Sequence, residues 1–516
     1  MTSAQTYIMI AIVVYLIGML AIGVYWSKKN ENVGDFYLGG RKLGPFVTAM
    51  SAEASDMSSW LLMGLPGIAY LSGIADPTWT AIGLGIGTYV NWRIVAKRIR
   101  IYTHEAQNSI TLPDFFSRRY RDSKNILMCI AAVVIIIFFI PYTASGFAAC
   151  GKLFSSVFDI SYTTAMIISA FVIVGYTATG GFSAASTTDL VQSIVMTIAL
   201  FVVVIFGIQV AGGLDVVMDN ARALPGYLKM TAMYRVSENA AAPYGFLTIC
   251  STMAWGLGYF GMPHILLRFM AIEDTHKLTL SRRIATTWVI ISMIVAIFIG
   301  IVGYSMTQVG AVPVLEGSAS ETIIVRVADL LSQNGMIPAL LAGVILAGIL
   351  AATMSTADSQ LLASSSSASH NLLQGFLGIK MSEKKAMYFA RCSVVIISII
   401  AAFIARDPAS SVFGIVSFAW AGFGAAFGPV VLAALFWKRS NKHGALAGMI
   451  VGGAMVFIWK YLVRPMGGAW NIYELLPAFL FSLAAIVIVS LLTKAPDKEI
   501  TDEFDRVSAL CAIKKK

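Results

Sequence analysis

Long apolar runs, separated by short polar segments rich in lysine and arginine, dominate this chain from end to end. A helix needs about 20 largely apolar residues to cross a bilayer. Thirteen runs meet that length: 7–27, 45–71, 78–97, 125–150, 160–180, 188–212, 243–270, 284–308, 336–370, 387–405, 411–437, 444–463 and 471–493. Two of them, 45–71 and 336–370, carry many small and polar residues among the apolar ones. The pattern predicts an all-α polytopic membrane protein of about thirteen transmembrane helices.

The segments between the runs give the orientation. Basic residues gather in alternate loops: Lys28, Lys29, Arg41 and Lys42, then eight between Arg93 and Lys124, then Arg268 to Arg283, Lys380 to Arg391, Lys438 to Lys442 and the tail from Lys494. The intervening long loops, 213–242 and 309–335, hold few. Positive charge stays on the cytoplasmic side, so the N-terminus is expected outside and the C-terminus inside. The first run, Tyr7 to Trp26, has no basic residue before it and no small-residue cleavage site after it, so it reads as a retained membrane helix. The tail after Pro496 is short and charged and reads as a solvated cytoplasmic end.

Composition narrows the class further. Of 516 residues 58% are hydrophobic and 12% charged, against roughly 25% charged in soluble domains, and the mean hydropathy is +0.77. A net charge of +10 could point to nucleic acid, but its confinement to alternate loops assigns it to membrane topology instead. Five cysteines form no C-x-x-C pair and no metal-ligand spacing, and read as small apolar filler.

Two runs are interrupted by residues that break helices. One reads Ser51-Ala52-Glu53-Ala54-Ser55-Asp56-Met57-Ser58-Ser59-Trp60 and continues to Gly64, Pro66 and Gly67; the other reads Trp255-Gly256-Leu257-Gly258-Tyr259-Phe260-Gly261-Met262-Pro263. Backbone polar groups unpaired in lipid are costly, so such breaks survive where they line a protein cavity. As helices two and seven of thirteen, they lie five apart. That is the plan of secondary transporters built from inverted five-helix repeats, each opening with a discontinuous helix. Unwound carbonyls there can hold a cation, and half-helix N-termini can face a carboxylate.

The ninth run adds Ala351-Ala352-Thr353-Met354-Ser355-Thr356-Ala357-Asp358-Ser359. Hydroxyls and carbonyls together make an oxygen cage suited to sodium. Intramembrane acids default to functional roles, and Asp56, Asp189 and Asp358 qualify. Asp189, near the start of the sixth run, could alternatively cap a helix.

At these motifs the chain resembles the sodium/solute symporter family, and within it the branch that carries proline. Ser55 to Ser58 with Leu61 to Gly67, Trp255 to His264, Ser417 to Pro429, and Lys438-Arg439 followed by Gly444-Ala445, Gly448 and Gly452 carry the likeness, which runs from about Leu38 to Pro496. The resemblance implies the five-helix inverted-repeat (LeuT-type) core and a secondary active transporter. It would couple inward sodium movement to uptake of a small amino acid, L-proline, by alternating access in a bacterial-type cell membrane. It implies a sodium site of Ala54, Met57 and Ala352 carbonyls with Ser355 and Thr356 hydroxyls. Asp56 matches an acid needed for sodium coupling, and Asp189, Asp358 and Ser359 could form a second sodium site. Ser58, Trp60, Tyr142, Trp255, Tyr259 and Pro263 match positions around the solute, and Arg41 a sensitive position on the cytoplasmic side. The chain departs from the proline pattern at Glu53 and Ser59, where that pattern has glycine, and at Met262, where it has a polar residue.

This reading divides the chain into 1–44 (an extra helix and loop), 45–212 and 243–437 (the two repeats), 438–493 (two further helices) and 494–516 (the tail). Sodium, a small solute and the bilayer are the expected partners; pantothenate, a sugar or an organic acid is the alternative cargo. No filter repeat or charge ring suggests a channel. No G-x-S-x-G elbow suggests a hydrolase, so no enzymatic activity is expected.

Overall fold

The computed structural model describes residues 2–29 and 32–513. Helices α1 (Ser3–Ser27), α2 (Val33–Leu38), α3 (Pro45–Ser59), α4 (Leu65–Ser72), α5 (Ala75–Val90), α6 (Ala96–Glu105) and α7 (Leu112–Arg119) open the chain. Then come α8 (Ile126–Phe158), α9 (Tyr162–Val210), α10 (Leu214–Ala223) and an antiparallel hairpin of β1 (Ala232–Arg235) and β2 (Ala240–Pro243), with Ala232 opposite Pro243. The second half holds α11 (Phe246–Met253), α12 (Pro263–Ala271), α13 (Leu278–Gln308), α14 (Ile323–Ser332), α15 (Met336–Ser366) and α16 (Glu383–Ile404). It ends with α17 (Val412–Phe436), α18 (Lys442–Ile458), α19 (Leu475–Leu492) and α20 (Lys498–Ala512).

Among the described residues nine helical stretches are long and apolar enough to cross a membrane. The four other apolar runs of the sequence are short or interrupted. Run 45–71 is α3 and α4 with a break between them, 78–97 is α5 and a π turn Asn91–Val95, 160–180 is the first part of α9, and 243–270 is α11, a 3-10 stretch Ala254–Phe260 and α12.

α9 is kinked at Gly181, whose φ of 67° and ψ of −170° lie outside the helical region. Glycine takes such a conformation without steric cost. The next helical segment therefore begins at Phe182, and Asp189 stands two turns inside it. The alternative role of Asp189 as a helix cap is thereby excluded.

Lipid gives helices no hydrophobic reason to associate, so close backbone approach takes over. A Cβ on Gly87 would lie 2.4 Å from the Gly256 carbonyl oxygen, and one on Gly256 would lie 2.1 Å from that of Gly83. The broken stretch Ala254–Phe260 thus rests on α5, backbone to backbone. The outer helices show the complementary feature: Ile10, Val14 and Ile17 of α1 are exposed, as a lipid-facing stripe requires.

The tail differs from the sequence expectation. Residues 498–512 form α20, which buries Ile500, Phe504 and Val507. Phe504 meets the Tyr102 ring edge-on, Arg121 grips Glu499 at 2.7 Å and Glu503 at 2.6 Å, and Arg506 reaches Glu105 at 3.1 Å. Its charges occupy one helical face, and the opposite apolar face docks on α6, so this part of the tail is packed rather than solvated. Residues 514–516 lie outside the described residues.

Candidate functional site

The break between α3 and α4 falls at Ser58, a non-glycine residue at φ 48°, ψ −172°. Its Oγ accepts from the Trp60 N–H at 3.0 Å, replacing a lost helical acceptor. Upstream carbonyls turn elsewhere. Asp56 O accepts from the Tyr142 hydroxyl at 3.2 Å, and Ala54 O from Ser355 Oγ at 2.8 Å. Ser355 Oγ also lies 3.1 Å from Ala352 O, and Thr356 Oγ1 lies 3.2 Å from that same carbonyl. Four of the five groups assigned to sodium from sequence therefore meet where α3 touches α15. The fifth, the Met57 carbonyl, accepts from the Trp60 N–H beside the break. The set is all oxygen and hard. Each hydroxyl can swing its hydrogen away and turn a lone pair, together with the carbonyls, toward a cation.

Beside it lies an aromatic pocket lined by Asp56, Met57, Trp60, Leu84, Tyr142, Trp255, Val416 and Trp420. Its volume is about 10 Å³, room for roughly one water. The walls are tight: the ring centroids of Trp60 and Trp255 are 5.6 Å apart, and Phe413 packs on Trp60 at 6.2 Å and on Trp255 at 5.6 Å. Tyr259 donates to Asp56 Oδ2 at 2.6 Å and meets Trp420 edge-on, while Trp420 Nε1 donates to the Trp255 carbonyl at 2.7 Å. Trp60, Tyr142 and Trp255, expected around the solute, line this pocket. Ser58 and Tyr259 bond to its lining residues Trp60 and Asp56, and Pro263, the first residue of α12, is not among those that line it. Asp56, assigned to sodium coupling, is one of the lining residues. Trp420, Phe413, Leu84 and Val416 were not singled out from sequence; an indole at Trp420 inside a run of glycine and alanine was the one available signal.

A second polar cluster sits among α3, α9, α12 and α15. Asp189 Oδ2 accepts from Ser51 Oγ at 2.6 Å and from Arg268 Nη2 at 3.1 Å. Arg268 Nη2 also donates to Ser359 Oγ at 2.6 Å, and that hydroxyl lies 3.0 Å from Asp358 Oδ1. Arg268 is 1% exposed and Asp189 fully buried. Arg268 was counted with the cytoplasmic loop charges; the structure corrects this, placing it inside α12. The signal was the sequence Pro263-His264-Ile265-Leu266-Leu267-Arg268-Phe269-Met270, where apolar residues continue past the charge. Glu53 is also buried and accepts from Trp92 Nε1 at 2.9 Å. Ser59 and Met262 are buried near the two breaks without lining the pocket.

Arg41 closes one end of the bundle. The turn Gly39-Gly40-Arg41 has φ of 61°, 60° and 57° in succession. It aims the guanidinium at Met270 O (2.6 Å), Ser109 O (2.8 Å), Asn108 Oδ1 (3.0 Å) and Thr103 Oγ1 (3.2 Å). Burial first, and Arg100 second, lower its pKa to about 10. At the opposite end Lys152 of α8 pairs with Glu321 at 2.8 Å, and Glu321 also accepts from Ser411 Oγ (2.9 Å) and the Val412 and Phe413 N–H groups (3.1 Å each).

A family model, the sodium:solute symporter family, matches residues 36–452. The chain is 42% identical over 504 residues to a sodium/proline symporter of Haemophilus influenzae, covering 96% of this chain and 97% of that one. It is 41% identical over 508 residues to a sodium/proline symporter of Escherichia coli, covering 98% and 97% respectively. An osmoregulated proline transporter of Bacillus subtilis is 40% identical over 491 residues, covering 95% and 96%. Among solved structures, a sodium-coupled sialic acid symporter in a substrate-bound outward-open state aligns with a TM-score of 0.77 at 18% identity, covering 95% of this chain and 99% of that one.

Proposed function

The chain belongs to the sodium:solute symporter family, and we propose that it couples inward sodium movement to uptake of L-proline by alternating access. The observation that carries the reading is the contact of the broken α3 with α15. The Ala54 carbonyl, the Ser355 and Thr356 hydroxyls and the Ala352 carbonyl converge there, one turn from the aromatic pocket. The names of the relatives supply proline, and an aromatic enclosure suits a pyrrolidine ring.

In this reading sodium binds from outside at Ala54, Met57, Ala352, Ser355 and Thr356 and pulls α3 and α15 together. The solute then settles among Trp60, Tyr142 and Trp255, with Asp56 facing its ammonium and the freed N–H groups of the break facing its carboxylate. Thirteen spans with the N-terminus outside put Arg41 at the inner end and the Lys152–Glu321 pair at the outer end. Residues 45–212 and 243–437 form the two repeats, and the protein resides in a bacterial-type plasma membrane.

Uptake of labelled proline by purified protein in proteoliposomes tests the function. Uptake rises with an inward sodium gradient and is competed by excess proline but not by pantothenate, sugars or short organic acids. Uptake indifferent to sodium, or competition by another solute instead, refutes it. Replacing Thr356 by Ala tests the ion site: the sodium concentration for half-maximal uptake rises at least tenfold, the equivalent of about 1.4 kcal/mol. Sodium-driven uptake unchanged in that variant removes Thr356 from the site.

A further inference from the structure

A cavity of about 520 Å³ opens where the end of α1, the turn before α3 and the part of α9 beyond the Gly181 kink meet, at the same end of the bundle as Arg41. Its lining carries three ammonium groups, Lys28, Lys29 and Lys42, against one carboxylate, Asp35, which already accepts from Asn32 Nδ2 at 2.9 Å. Among the described residues the lysine ion pairs involve Lys152, Lys277, Lys438, Lys460 and Lys494, and none of these three. Lys29 Nζ instead donates to the Tyr25 hydroxyl at 2.7 Å and lies over the Tyr25 and Trp26 rings at 4.3 and 5.0 Å. Ser183 and Thr187 add hydroxyl groups on the α9 side. Like charges gathered round one cavity repel each other, and an anion seated among them removes that cost.

What leads to the cavity decides the kind of anion. Ile10, Val14, Ile17 and Val24 of α1 are exposed. They recur at helical spacing and so share one face, and that apolar stripe runs down the helix to Lys28. A free phosphate ion would use only the cationic end of this surface. A phospholipid uses both, with acyl chains along the stripe and its phosphodiester among the lysines. Trp26, on the cavity wall, is of the type that gathers at headgroup level.

We propose that this cavity binds the headgroup of an anionic phospholipid, of the phosphatidylglycerol or cardiolipin class. Basic pockets between membrane helices on the cytoplasmic side suit such headgroups, and the orientation proposed above puts this one there. Lys28 and Lys29 follow α1, whereas Lys42 adjoins Arg41 on a segment tied to the end of α12, where the Leu43 N–H donates to the Ala271 carbonyl at 3.1 Å. The bound headgroup therefore joins α1 to the turn that Arg41 fastens.

Purified protein in detergent is titrated with dioleoyl phosphatidylglycerol, dioleoyl phosphatidylcholine or inorganic phosphate while its melting temperature is followed. Phosphatidylglycerol raises the melting temperature saturably, and the other two do not. At about a fivefold weakening for each lysine lost, replacing Lys28, Lys29 and Lys42 together by glutamine raises the half-saturating lipid concentration roughly a hundredfold. The three single variants keep the test decisive if the triple variant does not fold. Lys384→Gln with Lys385→Gln, which removes charge from another basic segment, leaves the titration unchanged. Equal stabilisation by phosphatidylcholine, an unchanged titration in the cavity variants, or an equal loss in the Lys384 and Lys385 variant overturns the proposal. Stabilisation by inorganic phosphate that the cavity variants lose overturns it as well, because the ligand is then a soluble anion.

Discussion

Glu321 joins three parts of the bundle that meet over the aromatic pocket, and replacing it by glutamine tests whether that junction acts as a gate. The carboxylate takes Lys152 Nζ, Ser411 Oγ and the first two N–H groups of α17, while Lys152 and Glu321 are only 7% and 5% exposed. The 3-10 turn bearing Glu321 leans on α4, since a Cβ on Gly67 would lie 2.9 Å from the Glu321 nitrogen. Phe413, held by this grip, roofs the pocket through Trp60 and Trp255. Glutamine keeps the shape but carries no charge and has one acceptor oxygen, so it cannot serve both the Lys152 ammonium and the Phe413 N–H, and the ammonium loses its counter-charge. Breaking one side of a buried ion pair costs about 3–5 kcal/mol. If the junction exists only while the outer end is closed, even about 3 kcal/mol shifts the closed-to-open ratio by over a hundredfold.

The assay is labelling by a membrane-impermeant maleimide of a cysteine placed at Val416 on the pocket wall, with the five native cysteines replaced. Glu321→Gln accelerates labelling by one to two orders of magnitude, and an added Lys152→Met replacement, which removes the stranded ammonium, preserves the faster labelling while recovering thermal stability. Unchanged labelling refutes the reasoning. So does a lowered melting temperature without faster labelling, because the pair would then hold the fold in every state alike.

Three further expectations follow from the same geometry. Tyr259→Phe removes the donor to Asp56 Oδ2; at about 1.5–3 kcal/mol for a bond to a charged group, half-maximal uptake requires at least tenfold more proline, and a change below threefold argues against Asp56 as a solute contact. Asp114 receives Asn371 Nδ2 at 3.0 Å and faces His370 at 3.1 Å. Burial raises its pKa, but the charge and hydrogen bond of His370, with smaller contributions from Arg118 and the Ile110 backbone, together outweigh burial and leave it below the ordinary value. A depressed carboxyl stabilises the fold above its unfolded pKa of about 4 and loses that contribution as pH falls through the folded value. The melting temperature of His370→Asn is therefore lower than wild type at pH 6, and the gap closes below pH 4; a gap independent of pH contradicts the assignment. Finally, Glu503→Ala removes the buried partner of Arg121 at roughly 1–3 kcal/mol, so limited proteolysis releases α20 from the variant before the wild type, and equal protection of both counts against docking.

Hydropathy carried most of the helical architecture, because lipid admits few ways to satisfy a backbone. The apolar runs appear as helices, and the two stretches rich in glycine, serine and proline contain the breaks at Ser58 and from Ala254 to Met262. Ser355, Thr356 and Asp358 stood out in the sequence for a related reason: hydroxyls and an acid inside a membrane helix are costly unless they are paired. Periodicity could not say which charges stay in a loop and which descend into the bundle. Arg268 lies near a basic loop in sequence, yet its guanidinium reaches Asp189 and Ser359, respectively 79 and 91 residues away. Lys152 finds Glu321 at a separation of 169 residues and the tail finds α6 at about 400. Such pairings depend on which helices are neighbours, a property of the packed bundle. The same holds for the pocket's Trp420 and its Phe413 roof, brought to α3 only by the crossing of α17 over the broken helices. Sequence alone determined that the chain spans a membrane around interrupted helices and carries clustered hydroxyl and carboxyl groups within its apolar runs. The tertiary structure decided which of those oxygens come together and which already hold an arginine, because such contacts depend on distances between helices that no local pattern encodes.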